Sequence, residues 1–103
     1  MIMSEWPAEL ATCTGFEWDF GNREKNWERH RVSAAECEQV FFQRPLLIAR
    51  DSSHSRTEKR YAALGQTAGG RRLTIVFTIR DARVRVISAR AMSRRERRMY
   101  EQA

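Results

Sequence analysis

A chain of 103 residues bounds a single domain with a modest core, and a hydrophobic fraction of 42% excludes a disordered chain even though 31% of the residues are charged. Two cysteines, Cys13 and Cys37, are too few and too unpatterned for a disulfide scaffold or a zinc site, and no apolar run approaches a membrane span. The net charge of +6, with a pI of about 10.3, points instead to a polyanionic partner.

Residues 1–15 (MIMSEWPAELATCTG) have mixed polarity, a proline and no sustained period. They lack the basic start and apolar centre of a secretory signal, and are expected to form a partly ordered extension ahead of a domain spanning residues 16–103. Reduced cysteines and the absent signal together fit a cytoplasmic location.

Phe16-Glu17-Trp18 alternates aromatic and acid as a short strand does, and Asp19 is a good N-cap. A helix follows to about His30, with Phe20 and Trp27 seven residues apart on its apolar face. Ser33-Ala34-Ala35-Glu36 is a capping box, Val32 and Cys37 are spaced as a hydrophobic staple, and Val40 and Phe41 continue the buried face. That second helix must stop before Pro45. Leu46 to Arg50 suits a strand, Asp51 to Ser55 a turn-rich loop, and Tyr61, Ala63 and Gly65 open another strand that turns at Thr67 to Gly70.

The stretch Arg71 to Arg90 reads as the central hairpin. Leu73, Ile75, Phe77 and Ile79 share one face of its first strand, with Thr74, Val76, Thr78 and Arg80 on the other. The second strand places Val84, Val86 and Ser88 on one side. A short, even loop at Arg80-Asp81-Ala82-Arg83 sets Ile79 opposite Val84 and Phe77 opposite Val86, so Thr78, Arg80, Arg83 and Arg85 share the face away from the core. A second capping box, Ser93 to Glu96, begins a short C-terminal helix in which Met99 and Tyr100 are available for packing. Strands following helices in this order indicate an α+β domain: a compact, mainly antiparallel sheet of four to five strands, two N-terminal helices and a short C-terminal one.

The charge is concentrated. Arg71 to Arg98 holds ten arginines against Asp81 and Glu96, a local +8, so the rest of the chain sums to −2. Arginine carries the planar donor fork that meets phosphate oxygens bidentately, which puts nucleic acid first among partners.

Several strings recur in a known order: FEWD (Phe16 to Asp19), Asn26 and His30 followed by Val32-Ser33, VFF (Val40 to Phe42), and Asp51 with His54. After them come EKRY (Glu58 to Tyr61), GRRL (Gly70 to Leu73), Thr78 with Arg80, RVISAR (Arg85 to Arg90) and RRERRMYE (Arg94 to Glu101). Together they resemble the BrnT family of toxins from bacterial type II toxin-antitoxin modules, over nearly all of Phe16 to Glu101. The resemblance implies a RelE-like fold and an endoribonuclease that inhibits translation. It also implies neutralisation by a BrnA-like antitoxin, a ribbon-helix-helix protein through which operon DNA is bound. The family usually has glycine after the motif histidine, where this chain has Arg31.

Metal-independent RNA cleavage needs the 2'-hydroxyl deprotonated, charge on the phosphorane stabilised and the departing 5'-oxygen protonated. Arg80 and Arg85, on one face of the hairpin, are the first candidates for stabilising that charge. His54 beside Asp51, and Tyr100, are candidates for proton transfer; His30 at a helix end is read as a carbonyl cap. Arg60, Arg71 and Arg90 match family motif positions and, with Arg83, form the expected RNA-binding set, although Arg90 is also placed to pair with Glu58 or Glu96. No metal ligand set and no cofactor is expected. The competing reading is a non-catalytic basic module, a degenerate toxin whose arginines only clamp phosphates or an antitoxin.

Overall fold

A computed structural model of the chain describes residues 6–51 and 58–103. A short 3₁₀ helix (Ala8–Thr12) leads into β1 (Gly15–Glu17), α1 (Phe20–His30), α2 (Ala34–Val40), β2 (Leu47–Arg50), β3 (Tyr61–Gln66), β4 (Arg72–Arg80), β5 (Arg83–Ala91) and α3 (Arg94–Glu101). The strands form one sheet in the order β1-β5-β4-β3-β2. All neighbours are antiparallel except β1, which runs parallel to β5 at the edge.

The helices start where the capping residues stand. Asp19 accepts the Asn22 backbone N–H at 2.9 Å, and both Ser33 and Ser93 complete reciprocal capping boxes with Glu36 and Glu96. Helix α1 ends at Arg31, whose φ of 52° and ψ of 41° place it in the left-handed region. This chain thus holds an arginine in a conformation that glycine adopts without strain.

One face of the sheet carries the main core. Phe77, Ile75, Leu73, Val86 and Ala89 are fully buried against Val32, Cys37 and Val40 of the helical layer. Phe16, Phe41, Phe77 and Tyr61 run through it as a chain of ring contacts with centroids 5.1 to 5.6 Å apart. Gly65 lets α2 approach β3, since a Cβ there would meet Val40 Cγ1 at 2.5 Å. Residues 6–14, ahead of β1, join this structure: Leu10 and Cys13 pack on the core, and the Trp6 indole N–H donates to the Leu46 carbonyl at 3.1 Å.

Two expectations need correcting. Phe20 and Trp27 are not the buried face of α1: they are 74% and 47% exposed, and the helix is fixed by buried Asn26, whose Oδ1 accepts the Ala89 backbone N–H at 3.1 Å. The edge of β5 beyond the short β1 presents a backbone donor, and a side-chain amide satisfies it where an aromatic ring does not. Ser88 does not share the core face either. The register moves from Val76 opposite Ser88 to Phe77 opposite Val86, so Ile87 is an extra residue, a β-bulge. The bulge turns Ser88 and Arg90 outwards and Ala89 inwards.

On the other face of the sheet, the helical cover among the described residues lies at one end. Helix α3 lies over Leu64 and Thr74, with Met92, Met99 and Tyr100 forming a second small cluster. The opposite end, around Thr78, Arg80, Arg83 and Arg85, lies outside that cover. Among the described residues no helix is long and apolar enough to cross a membrane.

Candidate active site

The β4–β5 hairpin closes through Asp81 and Ala82, both at positive φ (51° and 57°), the signature of a tight turn whose twist matches the strands. It pairs Arg80 with Arg83, Ile79 with Val84, Thr78 with Arg85 and Phe77 with Val86, the register expected from the alternation. Arg80 and Arg85 are therefore diagonal neighbours on the face away from the core, with Cβ atoms about 7–8 Å apart by strand geometry.

Each of the two guanidiniums is held by carboxylates on its own side. Arg80, with a side chain 48% exposed, lies 3.3 Å from Glu58 Oε2, just ahead of β3. Arg85, at 23%, sits across from Glu17 in the parallel pair; its Nε is 3.7 Å from Glu17 Oε1 and its Nη2 3.5 Å from Asp19 Oδ2. Asp19 is thus shared between the cap of α1 and Arg85. The Asn22 backbone N–H, with Arg85 beside it, holds its carboxyl below the ordinary value. Thr78, between the two arginines, is buried and donates to the Lys59 carbonyl at 2.7 Å.

Arg83 is exposed at the hairpin tip, and Arg60 is half-buried immediately before β3. These two and the Arg80–Arg85 pair are the expected residues that the fold gathers at one end of the sheet. The other expected residues have structural partners. Arg71 donates to the carbonyls of His30 (3.0 Å) and Arg31 (2.7 Å), and both Glu36 carboxylate oxygens lie within 3.2 Å of it. It closes the turn between α1 and α2, so the carbonyl cap expected of His30 is made by Arg71, and His30 itself is exposed. Arg90 forms a two-pronged pair with Glu96 at 2.7 and 3.0 Å. Glu96 also accepts the Ser93 N–H and the Thr74 hydroxyl, both at 2.8 Å.

Tyr100 is only 4% exposed, and its hydroxyl donates to the Pro45 carbonyl at 2.6 Å. In this arrangement neither its proton nor its ring is presented to a substrate at the arginine end. Burial there raises the phenol above its ordinary value. His54 lies outside the described residues.

Sequence reasoning missed Glu17 and Asp19 as partners of Arg85, and offered Glu58 to Arg90 where the structure pairs it with Arg80. The signal for Glu58 was its place in the EKRY string. For Glu17 it was the outward phase of Phe16-Glu17-Trp18, which becomes informative only once β1 is known to lie beside β5. Among the described residues, no group of three or more His, Cys, Asp or Glu side chains stands together as a metal ligand set.

A family described as the ribonuclease toxin BrnT of type II toxin-antitoxin systems has a model that matches residues 18–96. Among solved structures, the ribonuclease toxin BrnT of Brucella abortus resembles this chain with a TM-score of 0.57 and 20% identity, over 79% of this chain and 99% of that one. No curated protein matches.

Proposed function

This chain belongs to the BrnT family of ribonuclease toxins of type II toxin-antitoxin systems, and from that premise we propose that it is a metal-independent endoribonuclease acting at the arginine end of its sheet. The family implies an antitoxin partner. In our reading that partner is a BrnA-like ribbon-helix-helix protein that shields the basic face in the cytoplasm and carries operon DNA.

The observation that carries this reading is the diagonal placement of Arg80 and Arg85 on the sheet face that α3 leaves uncovered. Fixed charge-assisted donors on neighbouring rigid strands suit the task of stabilising a pentavalent phosphorane, and guanidinium does so without exchanging a proton. A phosphate entering between them replaces the carboxylates as their partner. Glu58 and Glu17, released from their ion pairs, then stand beside the phosphate as acceptors for the 2'-hydroxyl proton. Asp19 is less suited, being committed to its helix cap. The 2'-oxygen attacks phosphorus, the bond to the 5'-oxygen breaks, and that oxygen takes a proton from water or from His54, one of the two imidazoles in the sequence. Arg60 and Arg83 hold flanking phosphates. Arg71, Arg90 and Tyr100 support the fold in this scheme.

The test is incubation of purified protein with RNA in excess chelator. The reading expects cleavage with 5'-hydroxyl and 2',3'-cyclic phosphate ends. Intact RNA, or cleavage that requires added magnesium or manganese, contradicts it.

A further inference from the structure

We propose that the crevice between α3 and the sheet is a nucleobase subsite, taking an unpaired base of the RNA strand whose phosphate lies at Arg80 and Arg85; this rests on the function proposed above. The crevice encloses about 350 Å³. Ala62, Leu64 and Thr74 line it from the sheet, and Ser93, Arg95, Glu96 and Met99 line it from the start and body of α3, with Arg95 exposed.

Three features favour a base over other occupants. The first is position. Leu64 pairs with Thr74, Ala62 with Val76, and Thr78 with Arg85, so the crevice floor runs on the same face into the arginine end. From Thr74 to Thr78 is about 13 Å along the strand, a distance that a short piece of extended single strand bridges. Ala62 and Val76, paired across this face, are both half-buried rather than sealed, and Arg80 beyond the buried Thr78 is exposed.

The second is chemistry. An apolar floor with an arginine at the rim suits a flat aromatic ring, which stacks on apolar surface and on guanidinium planes. The Glu96 carboxylate at the base of the crevice is occupied by Arg90, Ser93 and Thr74, so its charge is compensated where the strand would pass.

The third is rigidity. Helix α3 is fixed near its start by Glu96 and near its end by the Tyr100 hydroxyl on Pro45, so the gap has a set width. A subsite built between pinned elements discriminates more sharply than one on loops.

The experiment measures equilibrium binding of a 2'-O-methyl oligoribonucleotide, which resists cleavage, together with a series in which one position at a time is abasic. The proteins are the wild-type chain, Ala62→Trp, which fills the crevice, and Arg95→Ala, an exposed helix position. In the wild type one abasic position should weaken binding about tenfold, as loss of a stacked base does. That penalty should vanish in Ala62→Trp and shrink in Arg95→Ala, and both variants should bind the intact strand more weakly. If Ala62→Trp fails to fold, Arg95→Ala decides. A wild type with no position-dependent penalty, or folded variants that keep it, overturns the subsite. Weakened capture of an antitoxin with unchanged RNA binding overturns it in favour of a protein ligand. Wild-type cleavage of unmodified RNA, measured in parallel, separates failure of the subsite from failure of the function.

Discussion

Arg90 and Glu96 meet through two hydrogen bonds, 2.7 and 3.0 Å, and so tie the last strand to the helix that follows it. The pairing with Arg90, helped by the Ser93 N–H and the Thr74 hydroxyl, holds the Glu96 carboxyl down at about 2 against an ordinary 4.5. A carboxyl with a depressed folded-state pKa contributes stability that is present above the unfolded value and lost as pH falls through the folded one. The contribution of Glu96 should therefore be complete above pH about 4.5 and disappear towards pH 2. Glu96→Gln should melt below the wild type at neutral pH, with the gap closing across that window. Thermal melts of both proteins from pH 7 to 2 check this, and a gap independent of pH contradicts the ion-pair account.

Arg71 was expected to touch RNA, but its donors point at the end of α1 and at Glu36. Arg71→Ala should leave the Glu36 carboxylate and two helix-end carbonyls without this partner. Charge-assisted bonds of this kind are worth about 1.5–3 kcal/mol each, and exposure of the pair brings the expected loss to about 1–2 kcal/mol. Denaturant titration measures that loss. Cleavage by the folded variant should stay close to wild type, and a large drop in rate with unchanged stability would return Arg71 to the RNA-binding set.

Much of the fold was legible because its signals are local. Asp19, Ser33 and Ser93 cap helices through contacts three residues away, and the register of Phe77 with Val86 follows from alternation on either side of a two-residue turn. What escaped depended on non-local geometry. One extra residue, Ile87, inverts the facing of everything after it, and no composition signal marks it. The pairing of Glu17 with Arg85 exists only because β1 returns parallel to β5 at the sheet edge. For the same reason Arg71, distant in sequence from the helix it caps, looked like any other arginine in a basic run.

The core makes a separate claim about size. Phe77 is fully buried among Phe41 and Tyr61, so Phe77→Ala should cost about 3–5 kcal/mol through the cavity it leaves. Gly65→Ala should also destabilise, because its new methyl group would press on Val40. Phe42→Ala, at an exposed position, should change stability by less than about 0.5 kcal/mol. Urea midpoints of the three variants rank them, and a Phe42 effect as large as that of Phe77 would contradict the assigned faces.

The account turns on Arg80 and Arg85, and the most direct measurement is the initial rate of RNA cleavage by Arg80→Ala and Arg85→Ala, with a thermal melt of each. Removing a donor aimed at transition-state charge typically costs about a hundredfold or more. Both variants should lose at least that much. Arg80→Ala should melt like the wild type, while Arg85→Ala, which gives up partly buried contacts with Glu17 and Asp19, should lose about 1 kcal/mol or less. Folded variants that cleave RNA at the wild-type rate would contradict the assignment of catalysis to this face.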